Sequence, residues 1–509
     1  MRRVSIASAS QLAADAGAAV ADAGGNAVDS AIGAAICSMV SDPGIIAPGS
    51  GGFITVWPQD ADPVVIDAYA EMPGRGLPKE RFGKGGREIV MTYGGRTSTI
   101  VGYGSVATPG AFAGLRLAWE RYGEAPWEEL FAPAIKAVEE GFPLSRAAAE
   151  YLGHSHELVF GWDPPSYDVI HHDNGRHLSA GDTVLIPNLA DTLRSLAIEG
   201  VGTLYGGDLG AKIVASVEEH EGILTLRDLA EYEAVVRAPV SVDVDDWTIA
   251  TNAPPAVGGA TMAAMLLLMG IKGFDRWEAA NVARLVEVQE AVLAFRRSRL
   301  DELHDRGTEA ARLLEMAGRG DMASLLSAPS TAHTSTTDSD GLGCSITVSA
   351  GYGSGAMVAG TGMWLNNSLG EVELHPAGFH GVEPGVRLVS NMAPTVARSR
   401  HGAVLAIGSP GADRITTAVS SVLVNFMHLG MSLSDSIEHA RLHTETFEGT
   451  PTVSYEPGID VSEVTGFDLR RFPDLSMYFG GVQAALWDPL AGFFETADSR
   501  RSGGTAHGG

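Results

Sequence analysis

Cysteine and positive charge are both scarce in this chain of 509 residues, and each shortage excludes a class of protein. The two cysteines, Cys37 and Cys344, cannot form a disulfide framework, and neither has a partner at metal-ligand spacing. Lysine and arginine total 35 against 62 aspartate and glutamate residues, which gives a formal net charge of −27. Because such a field repels nucleic acid phosphates and anionic lipid, we expect neither as a partner.

Long apolar runs are missing near the start of the chain. Arg2 and Arg3 resemble the beginning of a signal peptide, but Ser5, Ser8 and Ser10 interrupt the segment that should be apolar. The longest apolar run nearby, residues 31–40, is too short to span a bilayer. We therefore predict a cytoplasmic protein without a membrane segment.

The motifs of several large enzyme classes are also absent. There is no Gly-x-Ser-x-Gly elbow and no P-loop, which argues against an α/β-hydrolase nucleophile and against a P-loop enzyme. Histidines cluster between His154 and His177, but no carboxylate motif there fixes a metal geometry, so a surface loop is favoured over a metal site. We predict that the protein needs no metal and no organic cofactor.

What the sequence does contain is typical of a globular protein with a sizeable core, since hydrophobic residues make up 45% and charged residues 19%. Periodicity predicts two helical pieces over 12–40, split by Gly24 and Gly25, and then a glycine turn that leads into a strand ending at Trp57. Further along, 240–245 alternates as a strand and 260–269 forms an apolar helix. The charged stretch 277–317 is typical of a solvated surface helix.

Residues 325–340 are rich in hydroxyl side chains and lead into an alternating strand at 345–349. On composition alone this segment is a polar linker. A hydroxyl is a poor nucleophile without a base beside it. The α-amine of a chain's own first residue can be that base, because its reference pKa is about 8. Such a site must be created by cutting the chain before a Thr, Ser or Cys, and this segment would supply one.

The chain resembles the gamma-glutamyltransferase family across nearly its whole length. Each matching block is weak alone, but the blocks follow one another in the family's order. They include 24–29, 49–53, 107–110, 204–207, 228–232, 254–259, 340–341, 352–355, 365–367, 392–395, 408–412 and the C-terminal stretch 498–504.

This resemblance implies a fold, a cut and a nucleophile. The family's nucleophilic threonine falls on Thr331, so cleavage after Ser330 would leave a large chain, 1–330, and a small chain, 331–509, as a heterodimer. The implied fold is α+β, a four-layer αββα sandwich of two stacked antiparallel sheets. The family's oxyanion hole, built from backbone N–H groups, falls on Gly411 and Ala412.

The substrate pocket departs from the family pattern. The family's arginine that binds a glutamyl α-carboxylate falls on Ala70, or on Tyr69 if the match is shifted by one residue, so one of the stronger contacts available to a carboxylate is lost. The acid that holds the α-amine falls on Glu371, in the region that follows Asn367.

Two further differences lie in the same pocket. The family's paired serines become Ser390 and Asn391, and either Thr347 or Ser349 is left as the hydroxyl neighbour of the nucleophile. We therefore expect that the catalytic groups are kept and that the acyl pocket is changed.

These observations predict a self-processing hydrolase or acyltransferase that acts on an amide or related acyl bond through an acyl-enzyme. Its substrate would be a small molecule with a non-glutamyl acyl group, as in cephalosporin-acylase-like and oxamate-type members of the family. One alternative is a branch of secondary metabolism that breaks a carbon–carbon bond in alkylproline-type precursors. Another, of a different class, is an uncleaved and non-catalytic scaffold.

Overall fold

The computed structural model describes residues 2–92, 97–271, 274–301, 305–320, 332–447 and 449–509. The predicted cleavage site, with Ser330 and Thr331, lies outside these ranges. The α-helices are α1 (Gln11–Asp22), α2 (Ala27–Ser41), α3 (Ala111–Tyr122), α4 (Ala132–Glu140), α5 (Arg146–Ser155), α6 (Pro164–Ile170), α7 (Leu189–Ile198), α8 (Gly202–Tyr205), α9 (Asp208–Glu219), α10 (Leu226–Ala230), α11 (Gly258–Ile271), α12 (Ala279–Phe295), α13 (Arg306–Arg319), α14 (Arg414–Leu423) and α15 (Leu433–Glu438).

The strands belong to two large sheets and several small ones. They are β1 (Val4–Ser8), β2 (Gly51–Trp57), β3 (Val64–Ala68), β4 (Arg87–Met91), β5 (Thr97–Val101), β6 (Phe142–Pro143), β7 (Thr183–Val184), β8 (Val235–Arg237), β9 (Val240–Val244), β10 (Trp247–Thr251), β11 (Ala332–Asp338), β12 (Gly343–Ser349), β13 (Met357–Val358), β14 (Met363–Trp364), β15 (Thr395–Ser399), β16 (Val404–Gly408), β17 (Leu442–Phe447), β18 (Thr450–Tyr455), β19 (Asp468–Arg471), β20 (Gln483–Asp488), β21 (Gly492–Ala497) and β22 (Gly504–Gly508).

The two large sheets are antiparallel and face each other. The seven-stranded sheet has the order β22-β1-β11-β12-β2-β3-β8, and the six-stranded sheet has the order β21-β20-β16-β15-β10-β9. Strands β11 and β12 of the first sheet contact β16 of the second, and β11 also contacts β20. Helices α1 and α2 pack on the first sheet, whereas α11 and α14 pack on the second. The chain is therefore a mixed fold of helices and antiparallel sheets.

The hydroxyl-rich strand β11 is wholly buried in the middle of the first sheet. Its side chains find partners on both sides, because Thr334 Oγ1 lies 2.7 Å from Ser8 Oγ, and Thr336 donates to the carbonyl of Ala27 at 2.7 Å. Ser335 donates to the carbonyl of Gln483 in the facing sheet at 3.2 Å. The composition-based expectation of a linker is thus wrong for 332–338, since a polar strand can be buried when its hydroxyls are hydrogen-bonded.

The predicted break at Gly24 and Gly25 is confirmed, with α1 ending before it and α2 starting after it. Asn26 caps α2 by accepting from the backbone N–H groups of Val28 and Asp29, while the carboxylate of Asp29 accepts from the backbone of Asn26. This reciprocal capping box fixes the start of the helix. Every residue of α2 is buried, so this helix passes through the core.

The expectation of a solvated helix over 277–317 is wrong. Helix α12 buries one face, including Leu285, Val288 and Leu293, against the apolar cluster of the second sheet. Arg296, in the π-helical turn that follows α12, is fully buried, and its guanidinium lies 3.0 Å from Asp301. Charge patterning misleads here because paired arginine and aspartate side chains can be buried together. Over the described ranges, no helix is both long and apolar enough to cross a membrane.

A buried ionic cluster ties the C-terminal region to the small three-stranded sheet β17-β18-β19. Arg500 lies 2.7 Å from one oxygen of Glu456 and 3.1 Å from Asp498, and all three side chains are fully buried. Arg441 adds a second guanidinium at 2.6 Å from Asp498. Each charge in this cluster therefore depends on its neighbours for compensation, because no water can replace them.

We predict that Arg500→Leu lowers the free energy of unfolding by about 3–5 kcal/mol, because it leaves Glu456 buried without its guanidinium partner and Asp498 with Arg441 alone. Arg400→Leu is the matched control, since Arg400 lies 3.1 Å from Asp246 but is 73% exposed. The control should change stability by less than about 0.5 kcal/mol. Denaturant unfolding followed by circular dichroism measures both, and equal effects would contradict the prediction.

Candidate active site

The described part of the predicted nucleophile strand begins at Ala332, which pairs with Val348 of β12. The next pair is His333 with Thr347, and the ring Nδ1 of His333 lies 2.8 Å from Thr347 Oγ1. Two of the predicted site residues, Thr347 and Ser349, lie on the same face of β12 because side chains alternate along a strand. Ser349 accepts a hydrogen bond from the backbone N–H of Gly351 at 3.1 Å.

His333 lies in a chain of hydrogen bonds that fixes its proton. The hydroxyl of Ser335 donates to Gln483, so it must accept the bond from Nε2 of His333, which is 2.7 Å away. Nδ1 is then the unprotonated nitrogen and accepts the hydroxyl proton of Thr347. Complete burial lowers the pKa of His333 to about 3, so the ring is neutral at physiological pH. Thr347 thus keeps its oxygen lone pairs available to another donor.

Strand β16 brings a tight turn to this end of β11. Gly408 ends β16 and packs on the imidazole, since a Cβ at Gly408 would lie only 2.3 Å from Cε1 of His333. Gly411 has φ of 132°, and a Cβ there would lie 2.6 Å from the Cα of Gly480. Ala412 has φ of 67°, in the left-handed region. The turn that sequence comparison assigned to the oxyanion hole therefore accommodates Ala412, at the conformational cost of a non-glycine residue.

The backbone N–H groups of Gly411 and Ala412 have no acceptor among the residues that the structure describes. Asp413 follows them, and burial alone would raise its pKa. However, Arg414, at 2.5 Å, and His443, at 3.3 Å, hold the pKa of Asp413 well below its usual range. The turn thus presents two free donors beside a carboxylate whose charge is already compensated.

Tyr69 and Glu371 meet in the predicted acyl pocket. Tyr69 follows β3, stacks on Phe53 with ring centroids 5.5 Å apart, and donates its hydroxyl to Glu371 at 3.3 Å. Both side chains are buried, and burial raises the pKa of Tyr69 and of Glu371 well above their ordinary values. Ala70 is fully buried next to Tyr69.

The side-chain amide of Asn367 is hydrogen-bonded through its nitrogen and, among the described residues, not through its oxygen. Its Nδ2 donates to Thr99 Oγ1 at 3.0 Å and to the carbonyl of Ile100 at 3.2 Å. Its Oδ1 is buried and has no donor among the described residues. Asn391 is similar, because neither side-chain atom has a partner in the described ranges, whereas Ser390 accepts from the N–H of Met392 at 3.2 Å.

The arginines near Ala70 are committed to carboxylates. Arg75 lies 2.9 Å from Glu71 and 3.3 Å from Asp228. Arg387 lies 3.6 Å from Asp67 and donates to the carbonyl of Tyr69 at 2.6 Å. Among the described residues these two guanidiniums therefore belong to a structural ion network. Arg96, the other arginine considered from sequence, lies outside the described residues.

The sequence did not single out Glu373, Tyr352 or Arg414 as site residues. Glu373 accepts the hydroxyl of Tyr352 at 2.9 Å and lies two residues from Glu371, and burial raises its pKa to about 7. Arg414 lies over the ring of Tyr478 at 4.4 Å. The spacing of Glu371 and Glu373 was a signal in the sequence, but only the fold places Tyr352 against the second acid.

The histidine cluster around His171 is distant in sequence from these groups and differs from the expected surface loop. His154 lies in α5, and His156, in the π-helical turn after it, places Nδ1 2.9 Å from Nε2 of His171. Within the described ranges, no group of three or more histidine, cysteine, aspartate or glutamate side chains has a metal-binding arrangement.

Comparison with known proteins gives consistent matches across the chain. The family described as gamma-glutamyltranspeptidase matches residues 13–508. The glutathione hydrolase proenzyme of Pseudomonas aeruginosa is 28% identical over 522 residues, covering 95% of this chain and 90% of that protein. The acylase ACY 1 proenzyme of a Pseudomonas species is 29% identical over 459 residues, covering 85% of this chain and 81% of that protein.

Several solved structures match nearly the entire fold. The crystal structure of cephalosporin acylase from Bacillus halodurans superposes with a TM-score of 0.80 at 23% identity, covering 99% of this chain and 96% of that chain. Its fold and the family match agree with the resemblance read from the sequence blocks. The matches identify an enzyme of the hydrolase and transferase type. This chain belongs to the gamma-glutamyltranspeptidase family of N-terminal-nucleophile hydrolases.

Proposed function

We propose that this protein is a self-processing hydrolase or acyltransferase that forms an acyl-enzyme on Thr331 and cleaves an amide or related acyl bond. Cleavage after Ser330 would give the chains 1–330 and 331–509, which stay together as a heterodimer. The observation that carries this proposal is the contact between His333 and Gly408. It brings the strand that would follow the nucleophile against the turn with two free backbone N–H groups.

The proposed reaction uses Thr331, which precedes β11, and the backbone N–H groups of the turn that follows β16. The α-amine of Thr331 would take the proton of its own hydroxyl while Thr331 Oγ1 attacks the acyl carbon. The N–H groups of Gly411 and Ala412 would stabilise the oxyanion, and collapse would expel the amine with a proton. Water or an acceptor amine would then release the acyl group from the ester.

Two hydroxyls on β12 support this assignment. Ser349 follows Val348, which lies opposite Ala332, and we propose Ser349 as the neighbour of the nucleophile. Thr347 lies next on the same face, and its oxygen is available as an acceptor because its proton is donated to His333. We propose that both hydroxyls orient the amine and hydroxyl of Thr331.

The acyl group would lie against Tyr69, Asn367, Glu371, Ser390 and Asn391. Glu371 is the acid that would hold an amine of this group, and Tyr69 would orient that carboxyl. An α-carboxylate has no obvious receiver, since Ala70 has no charge and Arg75 is engaged by Glu71 and Asp228. The natural acyl group is therefore proposed to be something other than an ordinary γ-glutamyl group.

The packing of α1 and α2 on one sheet, and of α11 and α14 on the other, supports the finer fold assignment, a four-layer αββα sandwich.

The curated relatives are named hydrolases, acylases and proenzymes, so the comparisons favour neither the carbon–carbon lyase nor the uncleaved scaffold. The cytoplasmic location stays a prediction.

The first test is self-cleavage. We expect the purified protein to separate into two chains on a denaturing gel, with N-terminal sequencing of the small one starting at Thr331. Thr331→Ala should remain one chain and be inactive, since one hydroxyl serves both events. A small chain that starts at Thr334 or Ser335 would refute the assignment of the nucleophile.

The oxyanion turn is tested by a pair of exchanges. Ala412→Gly should keep kcat and raise stability by about 1 kcal/mol, because glycine adopts φ of 67° without strain. Gly411→Ala should lower kcat by about 100-fold or more, because its Cβ would displace the turn from Gly480 and with it both donors. Steady-state kinetics and thermal unfolding measure the two effects. A large loss of kcat in Ala412→Gly would speak against the turn.

A γ-glutamyl p-nitroanilide tests whether the pocket receives a glutamyl α-carboxylate. We expect kcat/KM to lie roughly thirtyfold or more below that of a typical family glutamyltransferase, since a lost charged partner costs about 2–5 kcal/mol. Ala70→Arg should raise kcat/KM by about tenfold or more, whereas Ala70→Met, which adds bulk without charge, should not. Native activity equal to that of a typical member would show that the missing arginine is irrelevant.

A further inference from the structure

The oxyanion turn, Gly411 and Ala412, contains a buried alanine in a conformation that alanine rarely adopts. Ala412 has φ of 67°, which costs free energy for any residue other than glycine. Such a conformation persists only where the surrounding contacts fix the backbone on both sides. On one side Gly411 packs against Gly480, because a Cβ on Gly411 would come within 2.6 Å of the Cα of Gly480. On the other side the next residue is Asp413.

Asp413 occupies the N-terminal capping position of α14 but does not cap the helix. Aspartate at this position usually accepts a hydrogen bond from a backbone N–H group of the first turn. Among the described residues, the side chain of Asp413 makes no such bond. Instead Oδ1 lies 2.5 Å from Nη1 of Arg414, and Oδ2 lies 3.3 Å from Nε2 of His443. Asp413 therefore ties the end of the turn to β17, a strand distant in sequence.

His443 is a rigid partner for this carboxylate. Its ring is fully buried, and Nδ1 lies 3.1 Å from Oγ1 of Thr417, so both ring nitrogens have partners. The backbone on either side is fixed by the buried amide of Gln289 in α12. This amide donates to the carbonyl of Leu442 at 3.4 Å and accepts from the N–H of Thr444 at 3.0 Å. The imidazole thus stays in place if the turn moves.

Arg414 fixes the other carboxylate oxygen of Asp413. Its Nε donates to the carbonyl of Tyr478 at 3.1 Å, and its guanidinium lies over the ring of Tyr478 at 4.4 Å. Tyr478 precedes Gly480 by two residues, so Arg414 is attached to the same segment on which Gly411 packs. The two oxygens of Asp413 are therefore held from two separate parts of the chain.

We propose that Asp413 and His443 are positioning residues of the oxyanion turn. Their contact holds Ala412 in its left-handed conformation and so aims the N–H groups of Gly411 and Ala412 at the oxyanion. This inference rests on the proposed function, because it requires the turn to be the oxyanion hole. Both side chains are buried and act through the backbone of the turn, so their loss should lower kcat more than it changes KM.

Asp413→Ser separates holding the turn from capping the helix. Serine is as good a cap as aspartate, but its hydroxyl is too short to reach His443. We expect kcat to fall roughly tenfold or more, with KM changed by less than about twofold. The substrate is whichever of γ-glutamyl, glutaryl and butanoyl p-nitroanilide the native protein hydrolyses fastest. An Asp413→Ser variant with native kcat would show that capping is the role of this residue and would overturn the inference.

Substitutions of His443 provide the second arm. His443→Gln keeps an N–H donor for Asp413 and should lose about threefold in kcat, whereas His443→Leu removes the donor and should lose as much as Asp413→Ser. His428→Leu is the matched control, since His428 lies 2.8 Å from Asp245 in an ion pair at the surface and should not affect kcat. If His443→Leu does not fold, Asp413→Ser and His443→Gln still decide the question.

The coupling between positions 412 and 413 tests the proposed cause. Glycine adopts φ of 67° without strain, so a turn with Ala412→Gly should depend less on Asp413. We expect Asp413→Ser to lower kcat by roughly tenfold in the native background but by only about threefold or less in the Ala412→Gly background. Equal losses in the two backgrounds would overturn the inference, because Asp413 would then not act through Ala412.

A crystal structure of Asp413→Ser gives a result that does not depend on turnover. We expect Ala412 to relax to a negative φ and its N–H group to turn away from its native direction. An unchanged turn would overturn the inference and leave the proposed reaction intact. A relaxed turn in this variant, with no hydrolysis of any of the three anilides by the native protein, would support the positioning contact and count against the proposed function.

Discussion

The burial of a strand made largely of hydroxyl side chains is the constraint on which the rest of the structure depends. A buried hydroxyl without a partner costs free energy, so the neighbours of β11 must supply acceptors and donors at fixed positions. Ser8 and Ala27 meet this need on the helix side, and Gln483 meets it in the facing sheet. The two sheets are thereby held in register across a polar seam as well as by apolar contact.

The same seam prepares the site for chemistry. His333 is buried between two hydroxyls, and its depressed pKa keeps it neutral over the whole physiological range. It therefore contributes a fixed dipole and a fixed tautomer, with no charge to be reorganised during a reaction. The glycine at position 408 lets the backbone of β16 approach the imidazole, which is how the turn with the free N–H groups reaches this end of the sheet.

Much of the fold could be read from the sequence, because the relevant signals are local. Gly24 and Gly25 break the first helices, and the ordered glycine-rich blocks indicated the family and hence the two antiparallel sheets. Charge content wrongly predicted that Arg296 is exposed, and hydroxyl content wrongly predicted that β11 is a linker. Neither property shows whether a side chain has an ion-pair or hydrogen-bond partner in the folded protein. At the site, Tyr69 and Glu371 were expected from matching positions, and they do meet. The contact between Glu373 and Tyr352 was not expected, because the two residues are distant in sequence and no local sequence pattern links them.

One feature of the first sheet bears on how the protein is made. Strand β1 lies between β11 and β22, so that Val4 pairs with Asp338 on one edge and with Gly508 on the other. During synthesis, β1 is made first, but its edge that pairs with β22 stays open until residues 504–508 have been translated. The sheet that holds the proposed site therefore closes late, and a chain truncated shortly before that point would keep an exposed strand edge, the kind of surface that recruits chaperones or other chains.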